Sequence, residues 1–188
     1  MTDPHSAVWQ RALLAARIAA IGLDRIGGIH LRARAGPVRD AWISYFKSLL
    51  PASTAWRRVT PSVPPGRLIG GLDVARTLEA GRPRLERGLL AATDRGILVL
   101  SMAERASADF AATIGTAMDN NGVHIERNSL SLFQPCTFTL LCLDEGADQD
   151  ETLRSSLADR LAISIDLSTV TLNDSLQVPD TSSAADMA

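Results

Sequence analysis

Lysine is almost missing from this chain: of its nineteen basic residues only Lys47 is not an arginine. Arginine codon preference explains that bias, so no single arginine carries weight by itself. Cysteine is scarce, and Cys136 and Cys142 are too few for a disulfide framework. If both sat on one strand they would share a face ~20 Å apart, too far for a bridge or a common metal. His5, His30 and His124 fall on different elements without ligand spacing, so no metal site is expected. No apolar run is long enough to span a bilayer and no signal peptide is visible, which makes a reducing cytoplasm the expected location and a membrane partner unexpected. The net charge of −2 excludes a general nucleic-acid binder. What is present is 188 residues at 46% hydrophobic content, enough for one α/β domain with a real core and hardly enough for two.

Along the chain, helical spacing of Val8, Ala12, Ala15, Ala16 and Ala19 predicts a helix over 7–21, closed by Gly22. A short strand follows at 28–31, then a loop, then a helix from Val38 to Leu50 with Trp42, Ile43, Phe46, Leu49 and Leu50 inward and Pro51 as its stop. Residues 51–66 are proline-rich and read as a connection. Asp73 to Ala80 reads as a short helix with Asp73 at its start and Gly81 just past its end. Gly96-Ile97-Leu98-Val99-Leu100 has the composition of a strand buried on both faces. A helix is expected from Glu104 to Met118, a hairpin from 123–126 with 129–132, and a buried strand over Thr137–Leu143. Asp148-Gln149-Asp150-Glu151 reads as solvated charge. Thr152 to Leu161 reads as a helix, 163–167 as a last strand, and residues from Ser168 as a polar tail or the start of a linker.

The order of pieces from Gly66 to Arg105 carries a resemblance. Arg67-Leu68-Ile69-Gly70-Gly71-Leu72-Asp73, Leu78-Glu79-Ala80-Gly81, Arg87-Gly88-Leu89-Leu90-Ala91 and Gly96-Ile97-Leu98-Val99-Leu100 together resemble the AAA+ module of magnesium chelatase subunits. The likeness runs from about Ala12 to Leu167 and implies a degenerate AAA+ α/β module over 1–167, with a central parallel sheet, a helix insert and a β-hairpin. The family's ATPase subunit, called I, has an acidic pair after the strand ending at Leu100. Here Ser101 and Met102 stand at those metal-acid positions, so the chain is closer to the non-hydrolysing D subunit. That subunit also has an integrin-type domain with a D-x-S-x-S motif. The nearest approach here, Asp166-Leu167-Ser168-Thr169-Val170, is broken by Val170, and the chain is expected to be the N-terminal module of a longer protein.

Strand, loop and helix over 28–50 is where such a fold places its phosphate loop. Against G-x-x-x-x-G-K-[ST], Arg32 stands for the first glycine, Pro37 for the second, Val38 for the lysine and Arg39 for the hydroxyl residue. Pro37 removes a backbone N–H. Val38 removes the cation for the β- and γ-phosphates, and Arg39 removes a magnesium ligand. Arg32, Arg34 and Arg39 around Gly36 could still attract an anion, but hydrolysis is not expected. Asp144-Glu145-Gly146 replaces the asparagine that senses the γ-phosphate in active relatives. By the resemblance, Arg160 matches an arginine that acts in the neighbouring subunit's site, and Arg154 matches a second one before it. A surface arginine paired with Asp159 or Asp166 is the plain alternative for Arg160.

The resemblance therefore implies a non-hydrolysing platform for the ATPase subunit, in a ring with itself or that partner. The partner would use ATP and Mg²⁺, a large porphyrin-binding subunit would be contacted indirectly, and no cofactor would be bound by this chain. Two other readings compete with it. One is a divergent ATPase of the wider chelatase-like group using Glu104 or Glu145, although Glu104 lies about a helical turn past the expected place. The other is a regulatory module that holds ATP through the arginine-rich loop without cleaving it. A serine hydrolase has no support, because Ser101 lacks the flanking glycines of a nucleophile elbow.

Overall fold

The structure, a computed structural model, describes residues 4–23, 25–82, 84–127, 130–146, 151–171 and 173. Five parallel strands form the central sheet: β1 (Gly28–Arg32), β2 (Trp56–Val59), β5 (Gly96–Ser101), β8 (Phe138–Asp144) and β9 (Ile163–Asp166), in the order β2-β5-β8-β1-β9. The expected parallel sheet flanked by helices is the fold found.

Alternation along β5 and β8, two of the three inner strands, explains why the sheet needs cover on both sides. Ile97, Val99, Leu141 and Leu143 face one core, while Leu98, Leu100, Leu140 and Cys142 face the other. Helices α1 (Pro4–Ile21) and α2 (Pro37–Ser48) close the first side with Trp9, Leu13, Trp42 and Phe46. Trp42 satisfies its buried indole N–H on the Ala12 carbonyl at 2.9 Å, and its ring stacks on Phe46 with centroids 5.4 Å apart. The second side is closed by α3 (Pro65–Ile69), α5 (Leu89–Ala92), α6 (Ala108–Asp119) and α7 (Ser155–Ala158), through Leu68, Leu90, Ile114 and Leu157.

Two small antiparallel pairs sit outside this sheet. β3 (Gly70–Leu72) with β4 (Leu85–Arg87) brackets α4 (Val74–Ala80), and β6 (Gly122–Arg127) pairs with β7 (Leu130–Pro135) as the expected hairpin. Asp73 caps α4, its carboxylate accepting from the Arg76 N–H at 3.0 Å, and Gly81 ends the helix at φ 60°.

The connection read over 51–66 holds an edge strand of the sheet, β2, parallel to β5. Four further expectations change. The helix read from Glu104 begins only at Ala108, because Met102 takes a left-handed conformation and Ala103–Arg105 forms a separate 3₁₀ turn. Ser107 then caps α6, accepting from the Phe110 N–H at 3.2 Å. The helix read from Thr152 to Leu161 shrinks to Ser155–Ala158, since Arg154 is extended at ψ 135°. Cys136 lies between β7 and β8, so the two cysteines do not share a strand; both are buried thiols, Cys136 pushed up to about 11 by desolvation. Packing continues past Leu167, for Val170 is buried with the α1 and α2 side. The acidic residues 148–150 lie outside the described residues.

Leu141 is fully buried at the middle of the sheet. Leu141→Ala is expected to lower stability by about 2–5 kcal/mol, read as a fall in the midpoint of urea unfolding with an unchanged slope.

Candidate functional site

The carboxyl ends of β1, β5 and β8 lie side by side, Arg32 opposite Asp144 and Ser101 opposite Leu143. In open parallel sheets this edge is where ligands bind. It collects Arg32, Arg34, Ser101, Met102, Asp144, Glu145 and, from the first turn of α2, Arg39.

Strand periodicity builds the centre of the cluster. His30 and Arg32 on β1 point to the same face as Cys142 and Asp144 on β8, their partners in register. Asp144 is completely buried, and its carboxylate is met on every side. His30 Nε2 lies 2.9 Å from Oδ2, Arg32 Nη1 3.5 Å from the same oxygen, and the Gly146 N–H donates to Oδ1 at 2.9 Å. Ser164 Oγ stands 3.4 Å from the other ring nitrogen of His30. A carboxylate without solvent needs this many partners, since an unpaired buried charge costs several kcal/mol.

Beside it, Arg39 Nη1 donates to Glu145 in a close ion pair whose arginine side chain is only 12% exposed. The Glu145 N–H donates to Glu104 Oε2 at 3.2 Å. Glu104 reaches that point because the left-handed Met102 turns the chain back over the strand ends, and its side chain is 1% exposed. The helical reading placed it a turn too far away. Ser101 ends β5 and Met102 starts the turn, so neither supplies a carboxylate. Val38 packs on the α1 and α2 core, and Gly36 at φ 153° precedes Pro37 at the start of α2.

Mg·ATP does not fit these residues as they stand. Two of the three arginines that could take phosphate are engaged: Arg39 by Glu145, and Arg32 by Asp144 and by the Gly146 carbonyl, which accepts from it at 3.1 Å. The cavity lined by Arg32, Arg34, Asp144, Glu145 and Ser168 is about 170 Å³, below the roughly 300–1,000 Å³ of small-molecule sites. Among the described residues no group of three or more His, Cys, Asp or Glu is arranged to hold a metal, and no helix is long and apolar enough to cross a membrane.

Arg154 and Arg160 stand at opposite ends of the sheet. The Arg154 Nε–H donates to the Ala106 carbonyl at 2.5 Å, just beyond the β5 turn. Arg160 precedes β9, and its carbonyl lies where a side chain on Gly27 would be, at the start of β1. Its guanidinium grips Asp119 of α6 with two bonds of 2.8 and 2.5 Å, and also donates to the Ser156 carbonyl. Gly115 makes room: a Cβ there would be 3.2 Å from the Arg160 Cζ. The partner is thus neither Asp159 nor Asp166. The ion pair holds the Asp119 carboxyl below the ordinary range, chiefly through the Arg160 hydrogen bonds, and raises Arg160. The approach of His30 to Asp144 and the fold of α6 against Arg160 had no signature in sequence spacing.

No family model matches the chain. It is 41% identical to the magnesium-chelatase 60 kDa subunit of Rhodobacter capsulatus over 77% of its own length and 23% of that protein. With the corresponding subunit of Cereibacter sphaeroides identity is 39%, over 85% of this chain and 25% of the relative. The chain therefore spans about a quarter of the length of these relatives. Its fold matches a chain of the complex between subunits BchI and BchD of magnesium chelatase, reconstructed by single-particle cryo-electron microscopy, with a TM-score of 0.64 at 20% identity, covering 94% of this chain and 64% of that one.

Because Asp119 is held low, the stabilisation from its pair with Arg160 is fully present above the ordinary aspartate value and is lost as pH falls through the lowered one. A carboxyl-detected NMR titration should place Asp119 below the other surface aspartates, and Arg160→Ala should return it to about 3.9. An unchanged titration in that variant would mean the pair does not persist in solution.

Proposed function

This chain is homologous over most of its length to the magnesium-chelatase 60 kDa subunits and has the AAA+ fold, and from that premise we propose that it is a non-hydrolysing AAA+ part of a magnesium chelatase. It serves as a platform for the ATPase subunit, which drives insertion of Mg²⁺, the substrate ion, into protoporphyrin IX for bacteriochlorophyll synthesis. The metal chemistry belongs to a large porphyrin-binding subunit that this chain contacts only indirectly. The observation that carries the reading is the Arg39–Glu145 ion pair in the place where an active relative keeps its phosphate-loop hydroxyl. The frame is whole, and the groups that would turn over a nucleotide have been exchanged for groups that bind one another.

A platform needs surfaces and, if it completes a neighbour's site, a cation at the opposite end from its own cleft. Arg160 meets the second requirement by position. It stands at the amino end of the sheet, 32% exposed, anchored by Asp119 and able to be presented to an adjoining subunit in a ring. An arginine in that role stabilises charge developing on a transferred phosphoryl group.

The rival reading, a divergent ATPase, draws on Glu104, whose carboxylate comes back to the strand edge. It is committed there to the Glu145 N–H and to Arg105 at 3.7 Å, and its side chain is 1% exposed. Glu104→Gln separates the two readings: any basal turnover of the chain should be unaffected, whereas a catalytic Glu104 would lose it.

Mixed with a BchI-type ATPase subunit, the chain is expected to co-elute in size-exclusion chromatography, and Arg160→Ala to keep co-elution while lowering turnover at shared sites by ~10³-fold. Separate elution of the two proteins at micromolar concentration would sink the platform reading. Undiminished turnover with Arg160→Ala would remove only the role given to that arginine.

A further inference from the structure

The cleft at the carboxyl edge lacks a nucleotide site's groups, yet it has not been made apolar. Two guanidiniums, Arg32 from the end of β1 and Arg39 from the first turn of α2, still flank the loop that a phosphate would enter. Each is met by one of two consecutive carboxylates, Arg32 by Asp144 at the end of β8 and Arg39 by Glu145 just after it. Carboxylates and phosphates are recognised by the same planar fork of N–H donors.

Three details indicate replacement of an anion rather than a chance surface pairing. Asp144 is fully buried and three donors converge on it, from His30, Arg32 and the Gly146 backbone. Glu145 is held by its backbone to Glu104, which keeps the segment against the strand ends. Arg39 has a buried Nε that finds no hydrogen-bond partner, so Glu145 meets only part of that arginine's donor set.

We propose that Asp144 and Glu145 are built-in counter-ions standing where the phosphates of a nucleotide would lie, so that the cleft is a latent polyphosphate site closed from within. The ligand class such a site would take, once opened, is a diphosphate or triphosphate group, recognised by Arg32 and Arg39 and by the open first turn of α2, where a Cβ on Gly36 would touch nothing. This inference rests on reading the cleft as a vacated nucleotide site; it does not depend on which partner the chain assembles with.

Isothermal titration of the purified chain with inorganic pyrophosphate and with ATP, each with and without Mg²⁺, tests it. The unaltered chain should show no saturable binding at millimolar ligand. Glu145→Gln, a substitution at the rim of the cleft, should keep the fold by circular dichroism and bind pyrophosphate at least tenfold more tightly than the unaltered chain. Asp144→Asn should melt at a lower temperature, and pyrophosphate should restore part of the loss where sodium chloride of equal ionic strength does not. If Asp144→Asn does not fold, Glu145→Gln decides alone. The proposal is overturned if Glu145→Gln binds pyrophosphate no better than the unaltered chain, or if the unaltered chain already binds ATP at micromolar concentration. Failure to co-elute with an ATPase subunit would instead remove the chelatase reading and leave this result standing.

Discussion

A carboxylate with no water around it has to be neutralised where it stands, and Asp144 imposes that condition on the whole carboxyl edge of the sheet. His30 and Arg32 must come from the neighbouring strand in register, which fixes the pairing of β1 with β8. Gly146 must fold its N–H back onto the side chain, which sets the direction of the following segment. Glu145 then falls within reach of Arg39, and Glu104 within reach of Glu145. One buried charge thus organises a layer of contacts across three strands and a helix. An apolar residue in its place would leave the Arg32 guanidinium and the His30 ring without their carboxylate partner.

This layer ties the end of β1 and the start of α2 to the end of β8 and the residue after it through carboxylates that belong to the chain. On the proposal that the cleft is a vacated nucleotide site, these carboxylates do within the chain what bound phosphates would otherwise do. A platform beside a cycling ATPase would gain from a geometry that needs no ligand.

The opposite edge of the sheet follows different physics. Arg160 is held at the surface by Asp119, with Gly115 leaving space beneath the guanidinium. An exposed pair of this kind adds little to stability, but it keeps a long side chain in one orientation. Burial at one edge and exposure at the other leave the two charged clusters with different surroundings, one within the fold and one at its surface.

Residue order alone was enough for the frame. Runs such as Gly96–Leu100 and Thr137–Leu143 show a strand buried on both faces, because a parallel sheet covered by helices needs apolar side chains in both directions. The Asp73 cap and the Gly81 stop of α4 were legible for the same local reason. At Pro37, Val38, Arg39, Ser101 and Met102 the sequence shows residue types that the resemblance reads as departures from the ATPase pattern. Local signals misled at Glu104 and Thr152. There, helical spacing continues through residues that a left-handed Met102 and an extended Arg154 take out of the helix. The cap at Ser107 was available as a sign of the true start.

What the sequence determined by itself was therefore which groups are present and in what order. Tertiary structure alone decided their partners: Asp144 with His30 and Arg32, Glu145 with Arg39 and Glu104, Arg160 with Asp119. These residues are separated by 41 to 114 positions, and propensity acts over only a few. Strand register and the path of the chain after each strand bring such distant charges to hydrogen-bonding distance, and both are set by packing of the entire sheet.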